Sequence, residues 1–321
     1  MARAGRTRAR RDASVALRVV VLVTSILALR HELTGLDRDQ VAAAFRQYGA
    51  PQIALAVLCT AASFATLGLI ELLALRYAER VSRSIPRGAA LATAFVAHAF
   101  SQSIGFGLLT GAAVRLRAYA SYNVDAETAA RASLFVSATT VLGLFSLASL
   151  ALLTTSGFSQ LVLTRAAAQS IGAGMAVLVI AYVVWCSLGG AAGIGVARWR
   201  LTPPSPTVAA AQALLAIVDW LVTATVLYAL LPHGTFMAFT GFLVAYLIAH
   251  AAGIASHVPA GAGVFEATFL ALIAPGAVNP ARAGVVASLL AYRVLYYAVP
   301  LCAAAALATM SELRRRHGVV S

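Results

Sequence analysis

Long apolar segments run through this sequence and leave few folds open to it. A run of roughly 20 mostly apolar residues is long enough to cross a bilayer as a helix. Hydrophobic residues make up 61% of the 321 residues and charged residues 11%, whereas a soluble domain has about 25% charged residues. We therefore predict an all-α polytopic membrane protein and exclude a soluble enzyme, a disordered chain and a disulfide scaffold. The apolar segments are 13–30, 50–75, 88–110, 129–154, 171–189, 208–231, 236–255, 264–275 and 284–310.

Arginines indicate which connections face the cytoplasm. The chain has 24 basic and 11 acidic residues, and every basic residue is an arginine. Because the arginines lie between apolar segments rather than on one soluble face, they indicate membrane topology and not nucleic-acid binding. The positive-inside rule places both termini in the cytoplasm, as basic tails at 1–14 and 311–321. The arginine-rich connections are 1–18, 76–87, 115–131, 198–200 and 314–316.

Two of the apolar segments are interrupted. Connections 76–87 and 115–131 are both assigned to the cytoplasm, so we predict that 88–111 is a re-entrant hairpin that enters and leaves on that side. The same reasoning makes 236–275 a second hairpin, entering from outside, and leaves about six full spans. Non-helical backbone at membrane depth is tolerated only where it is buried in protein or lines a wet cavity. The predicted breaks are 103–111 and 256–263.

The order span, hairpin, span occurs twice along the chain. Residues 50–155 would match residues 208–310 with the opposite orientation, and His98 and His250 precede the two breaks in the same Ala-His-Ala context. Inverted repeats are typical of transporters, whose substrate sites lie where broken helices meet. The sequence therefore indicates a possible inverted repeat.

The whole chain, 1–321, is predicted to be a single integral membrane domain with two minor features. Asp37 and Gln40 have the spacing of a capping box, which predicts an interfacial amphipathic helix within 31–49. A Pro-rich linker at 198–207 divides the chain into two halves.

Four ionisable residues lie inside apolar segments, where charge is costly and usually marks function or a structural pair. Glu71 lies near a cytoplasmic helix end and either reaches the interface or serves function, and Asp219 is either functional or paired with an arginine. Glu266 is predicted in the first turn after the second break, where the helix N-terminus stabilises a carboxylate; alternatively it holds a proton or a cationic head group. Arg293 is the counter-ion of Glu266 or Asp219, or a phosphate ligand.

Arg115 and Arg117 follow the first break and are candidate phosphate ligands, because arginine forks suit phosphate. Residues two apart do not face together on a regular helix, so both would contact one ligand only from an irregular turn; the alternative is interfacial anchoring. The histidines and cysteines lack metal-ligand spacing, so no metal or cofactor is expected. Further candidate substrate-binding residues lie at the breaks and beside Arg293: Ser256, Gly261, Gly263, Gly107, Gly111 and Tyr297.

Four motifs in this order resemble the lysylphosphatidylglycerol synthase transmembrane-region family over roughly 15–310. Two mild departures are Ala260, where the family more often has Gly, and Glu71, where Asp is usual. The motifs are Glu71 to Tyr77; Gly105, Gly107, Thr110, Gly111, Arg115, Arg117 and Tyr119; Ser256, Pro259, Gly261 and Gly263 to Glu266; and Arg293, Tyr296, Tyr297 and Pro300.

That family includes the membrane half of the multiple peptide resistance factors and stand-alone inner-membrane proteins. In its bifunctional members the membrane part is assigned lipid translocation, and a cytosolic acetyltransferase-like domain aminoacylates phosphatidylglycerol. Because the sequence ends at Ser321, we expect no aminoacyl transfer by this chain, and hence no enzyme.

The leading hypothesis is a flippase-like transporter that moves a phospholipid or a similar anionic amphiphile across the bacterial cytoplasmic membrane. Two alternatives stay open: an ion-coupled carrier of a small soluble anion, and a membrane subunit that presents lipid to a separate aminoacyl or glycosyl transferase. The expected partners are a membrane phospholipid with an anionic head group, a coupling proton or ion, and a second copy or a separately encoded transferase.

Overall fold

The described residues form a bundle of long helices. The computed structural model describes residues 38–78, 85–104, 107–154, 164–189, 194–196, 199–232, 238–273 and 281–318. Its helices are α1 (Arg38–Arg46), α2 (Ala50–Tyr77), α3 (Arg87–Ile104), α4 (Gly107–Tyr119), α5 (Ala126–Thr154), α6 (Arg165–Ser187), α7 (Pro206–Leu230), α8 (Phe239–Ser256), α9 (Val264–Ile273), α10 (Ala281–Tyr292) and α11 (Val299–Gly318), with a π-helix (Arg293–Ala298) joining the last two.

Six helices among the described residues are long and apolar enough to cross a membrane. They are α2, α5, α6, α7, α8 and the continuous stretch Arg282–Ser311 through α10, the π-helix and α11. The prediction of an all-α polytopic membrane protein is therefore confirmed. The predicted span 13–30 lies outside the described residues. Helix α8, predicted as one arm of a hairpin, is itself long enough to span, and α11 continues into the predicted tail at 311–321 as far as Gly318.

One short β-hairpin departs from the all-α prediction. Strands β1 (Ile194–Val196) and β2 (Trp199–Leu201) pair antiparallel, with Ile194 opposite Leu201. Residues 199–201 of the predicted linker 198–207 therefore lie in a strand, and residues 206–207 lie in a helix. Helix α7 begins at Pro206, whose fixed φ suits the first helical position, and the Ser205 hydroxyl accepts a hydrogen bond from the Val208 N–H.

Most of the first predicted break is helical. Helix α3 ends at Ile104 and α4 already begins at Gly107, so 107–111 is helical and the prediction of a break through 103–111 is wrong. The predicted loop 115–131 is also wrong in part, because α4 runs to Tyr119 and α5 begins at Ala126. The arginines identified a charged connection, but charge does not mark where the backbone stops being helical.

The second break lies where it was predicted. Helix α8 ends at Ser256, a 3-10 turn spans Pro259–Gly261, and α9 begins at Val264. His257, Ala260 and Gly261 all have φ near 60°, in the left-handed region, so the chain reverses through short i→i+3 hydrogen bonds instead of continuing as an α-helix. At Gly261 a Cβ atom would lie 3.1 Å from the Gly253 Cα, and the absence of a side chain lets the turn pack closely on α8.

The two interrupted segments meet each other inside the bundle. The arms α3 and α4 pack together, as do α8 and α9, so each break lies in a helical hairpin. Helix α3 also packs against the turn Pro259–Gly261 and against the π-helix. The order span, hairpin, span therefore recurs, while the inverted symmetry and the re-entrant paths through the membrane stay predictions.

Helix α1 lies within the predicted interfacial segment 31–49 and packs against α10. The Tyr48 hydroxyl donates a hydrogen bond to the Ser288 Oγ at 3.3 Å. Burial raises the pKa of Tyr48, which keeps its proton available for this bond. Asp37, the first residue of the predicted capping box, lies outside the described residues.

Candidate functional site

Glu71 and Arg115 form a buried ion pair between α2 and α4. Arg115 donates from Nε to both carboxylate oxygens of Glu71, at 3.0 and 2.9 Å, and from Nη2 to Oε2 at 2.6 Å. The Tyr119 hydroxyl donates to Oε1 at 2.8 Å. The Glu71 side chain is 0% exposed and that of Arg115 4%, so Glu71 does not extend to the interface. A buried charge is tolerable when it is paired and hydrogen-bonded in this way.

Gly111 makes room for this pair, and Arg117 does not join it. A Cβ atom at Gly111 would lie 2.8 Å from Arg115 Nη1 and 3.1 Å from Ser101 Oγ. Arg115 and Arg117 both lie in the regular helix α4, where Arg115 is buried and Arg117 is exposed. Helix α4, which begins at Gly107, therefore contains no irregular turn that would direct both arginines at one ligand.

Glu266 and Arg293 form a second ion pair, at the second break. Glu266 lies in the first turn of α9 as predicted, and its Oε2 accepts a hydrogen bond from the Gly263 N–H at 2.8 Å. Arg293 donates from Nε to Glu266 Oε1 at 2.5 Å and from Nη1 to the Ala260 carbonyl at 2.7 Å. Of the roles considered for Arg293, the structure shows that of counter-ion to Glu266.

Two aromatic rings lie beside Arg293, and a serine hydroxyl closes the end of α8 near the second break. The Arg293 guanidinium lies 4.6 Å from the Tyr297 ring centroid and 5.6 Å from that of Phe265, within the range of cation–π attraction. The Ser256 hydroxyl donates to the Gly253 carbonyl and accepts from the Val258 N–H, which closes the end of α8.

Asp219 belongs to a hydroxyl network rather than to an ion pair. Its Oδ1 accepts a hydrogen bond from Ser63 at 2.6 Å. Ser63 Oγ also lies 2.9 Å from the Tyr296 hydroxyl and 3.1 Å from Thr223 Oγ1, and these last two are 3.1 Å apart. Among the residues that the structure describes, no arginine pairs with Asp219. The network joins α2, α7 and the π-helix.

His250, which precedes the second break, is enclosed by aromatic rings. Its ring centroid lies 4.3 Å from that of Tyr246, 4.5 Å from Phe265 and 5.3 Å from Trp220. The hydroxyl oxygens of Tyr246 and Tyr292 lie 3.0 Å apart, within hydrogen-bond distance. These rings form the core beside the Glu266–Arg293 pair.

Several of these partners were missed by sequence reasoning. Tyr119 follows Arg115 by one helical turn, and this i, i+4 spacing would have placed it on the same face. Tyr292 and Tyr296 have the same spacing, and their stacked rings have centroids 5.5 Å apart. No local signal distinguishes Ser63 from other hydroxyl residues of apolar helices, since its role depends on α7 and the π-helix.

A polar cavity of about 510 Å³ lies at the end of α2, beside the start of α5 and the linker. It contains none of the candidate substrate-binding residues. Tyr77 narrows it by donating a hydrogen bond to the Thr202 carbonyl at 2.5 Å. The charged residues of its lining are Arg76, Asp125, Glu127 and Arg131.

The helices and paired charges define a class, a multi-pass membrane protein in which the second arm of each interrupted hairpin carries one member of an ion pair between helices. No protein-family model matches the chain. It is 33% identical over 295 residues to the uncharacterized protein slr0712 of Synechocystis sp., covering 90% of this chain and 88% of that protein. It is 28% identical over 270 residues to the inner membrane protein YbhN of Escherichia coli, covering 83% and 82%.

A third relative is much longer. The phosphatidylglycerol lysyltransferase of Staphylococcus haemolyticus is 22% identical over 291 residues, which are 90% of this chain but 33% of that protein. The chain belongs to the lysylphosphatidylglycerol synthase-like membrane protein family, together with these relatives. The family resemblance predicted from the four motifs is thereby confirmed.

Proposed function

We propose that this protein is a flippase-like transporter that moves a phospholipid or a similar anionic amphiphile across the bacterial inner membrane, with both termini in the cytoplasm. In this role it acts without enzymatic chemistry. Its partners are the head group, a proton or ion that couples the movement, and a second copy or a separate transferase.

The observation that carries this proposal is the meeting of two hairpins, each held by an ion pair. Glu71–Arg115 anchors α4 to α2, and Glu266–Arg293 anchors α9 to the π-helix. Ionisable groups at this depth are expensive and mark substrate pathways in membrane proteins. In this proposal the polar groups at the two interrupted helices contact the head group, while the acyl chains stay in the bilayer.

The relatives support a lipid as the substrate. The name of phosphatidylglycerol lysyltransferase states that it acts on phosphatidylglycerol, and this chain corresponds to a third of its length. A membrane region shared between that enzyme and shorter proteins is better explained by lipid handling than by transport of a soluble anion.

The test is lipid translocation in proteoliposomes that contain phospholipids with fluorescent head groups. A membrane-impermeant quencher removes the outer-leaflet signal, so protein-dependent movement appears as additional loss of fluorescence. We expect movement with the native protein and at least a tenfold slower rate with Arg115→Ala and with Glu266→Gln.

The matched control is Arg131→Ala, which also removes an arginine from a carboxylate pair but at an exposed i, i+4 position on α5. It is expected to translocate at the native rate. Native protein that is monodisperse, folds cooperatively and moves no lipid would reject the transporter proposal, and would favour the small-anion carrier or the transferase subunit.

A further inference from the structure

Buried polar atoms without hydrogen-bond partners are concentrated in the last two turns of α3. Within the part of the chain that the structure describes, His98 Nε2, Gln102 Oε1 and Ser103 Oγ have none, and neither does Arg293 Nη2. Native proteins satisfy nearly all of their buried polar groups, so each exception requires an explanation. His98 is 8% exposed, which makes it too buried for bulk water to explain the exception.

One face of α3 is linked through Phe64 of α2 to the segment that carries Arg293. His98 and Gln102 are four residues apart and share a helix face, which Phe95 continues one turn earlier. The Phe95 ring lies 5.0 Å from that of Phe64, and Phe64 lies 5.9 Å from Tyr296 in the π-helix.

Contacts between elements also bring α3 next to the segment that carries Arg293. Helix α3 packs against the π-helix, which begins with Arg293, and against the turn Pro259–Gly261. Arg293 donates a hydrogen bond to the Ala260 carbonyl in that turn. The elements that carry the unpartnered atoms, α3 and the π-helix, therefore pack against each other at one junction, between the first hairpin and the second.

The chemistry of the junction requires a ligand that both donates and accepts hydrogen bonds. Gln102 Oε1 is an acceptor and Arg293 Nη2 a donor, while Ser103 Oγ can act as either and His98 Nε2 acts according to its tautomer. The charge of Arg293 is balanced by Glu266, and that of Arg115 by Glu71. A simple anion would satisfy the donor and leave the acceptors unpaired.

We propose that His98, Gln102 and Ser103, at the C-terminal end of α3, form a head-group specificity site, which works with Arg293 Nη2. Arg293 binds a phosphate or ester oxygen, and Gln102 accepts from a hydroxyl or ammonium group on the same head group. This inference rests on the proposed function in so far as the ligand is a phospholipid. It selects head groups that carry a hydrogen-bond donor beyond the phosphate.

The test measures binding of short-chain phosphatidylglycerol, phosphatidylethanolamine and phosphatidic acid to the purified full chain in detergent, by native mass spectrometry. The first two lipids offer a hydroxyl or an ammonium donor beyond the phosphate. We expect the native protein to bind them about five- to tenfold more tightly than phosphatidic acid, the effect of one to two net hydrogen bonds. Gln102→Leu should reduce this preference to less than twofold with little change for phosphatidic acid.

Two further variants sharpen the test. Gln102→Glu keeps an acceptor and adds negative charge, so it should favour the ammonium lipid over the hydroxyl lipid. Gln52→Leu is the matched control, because Gln52 is a partly buried glutamine of α2 that bonds the Ala229 carbonyl, and it should keep the native preference. Gln102→Met replaces Gln102→Leu if the latter does not fold.

The specificity site is wrong if a folded Gln102→Leu or Gln102→Met variant keeps the native lipid preference. It is also wrong if the native protein shows no preference. Its failure and that of the proposed function are distinguishable. If native proteoliposomes move lipid while Gln102→Leu keeps the native preference, only the specificity site fails. If the preference is lost as expected while no lipid moves, only transport fails.

Discussion

Glu71 and Arg115, which are 44 residues apart in the sequence, join α2 to α4 through an ion pair in which both carboxylate oxygens accept hydrogen bonds from the guanidinium. The pair ties the second arm of the first hairpin to the preceding span. Because both side chains are almost completely buried, neither can turn to water if its partner is lost. The pair is therefore a strong constraint on where α4 lies.

Removing one member of this pair should destabilise the fold far more than removing both. Glu71→Leu leaves the Arg115 charge buried, and we expect it to lower the free energy of unfolding by about 3–5 kcal/mol, whereas Glu71→Leu with Arg115→Met should recover most of the loss. The measurement is reversible unfolding of the full chain by SDS titration in mixed micelles.

The control is Glu127→Leu in the exposed Glu127–Arg131 pair, whose side chains are 54% and 37% exposed. Solvent screening limits such a pair to about 1 kcal/mol or less. An equal effect of Glu71→Leu and Glu127→Leu would show that the buried pair is not the constraint that its geometry indicates.

Gly111→Ala should disturb the same pair from within α4. The new Cβ would lie 2.8 Å from Arg115 Nη1, and Arg115 cannot move away without giving up its hydrogen bonds to Glu71. We expect a loss of about 1–3 kcal/mol, the usual cost of overpacking, together with slower lipid translocation.

Gly174→Ala should have the opposite effect and increase the free energy of unfolding. Gly174 also lies in a helix, α6, but a Cβ atom added there would meet nothing within 4 Å, so alanine should stabilise by about 0.5–1 kcal/mol through helix propensity alone. Stabilisation by both substitutions, in the same SDS titration, would mean that Arg115 accommodates the methyl group without cost.

The sequence was sufficient to predict the membrane spans but not to predict where the arms of the hairpins end. Apolar runs predicted α2, α5, α6 and α7 to within several residues, because the bilayer sets both the length and the polarity of a span. Proline and glycine predicted the second break. The first hairpin was predicted too short, since the charge of Arg115 and Arg117 suggested a loop although the backbone there is helical.

The partners of the candidate residues could not be predicted for a different reason. Because Arg293 has no nearby partner in the sequence, Glu266 was considered as its counter-ion, with Asp219 as the alternative. The link from Glu71 to Arg115, and that from Asp219 to Ser63, depend on how helices far apart in the sequence pack together. Periodicity identifies the face of one helix, but it does not identify the helix opposite.

Arg293→Lys should weaken the second ion pair although the charge is kept. Arg293 reaches Glu266 with Nε and the Ala260 carbonyl with Nη1, and a single ammonium group cannot reproduce that fork. We expect a loss of about 1.5–3 kcal/mol, the contribution of a hydrogen bond to a charged group, measured by the same titration.

A comparison with Arg131→Lys separates charge geometry from arginine content, since Arg131 pairs with Glu127 at an exposed position, where solvent screening keeps the contribution small. That variant should change stability by less than Arg293→Lys does. If the two variants were equally stable, the bond from Arg293 to the turn would contribute nothing that lysine cannot supply.

Ala260→Gly should stabilise the protein, because Ala260 has φ of 56° and lies in the left-handed region. This conformation costs a residue with a Cβ about 1–2 kcal/mol, and glycine avoids that cost but loses more entropy on folding. We expect a net gain of about 0.5–1 kcal/mol, with the carbonyl that Arg293 binds left in place. Ala267→Gly, in the helical backbone of α9, should instead destabilise by about 0.5–1 kcal/mol. Opposite signs in one SDS titration would attribute the effect to backbone strain at the break, whereas destabilisation by both would show that the turn tolerates alanine without strain.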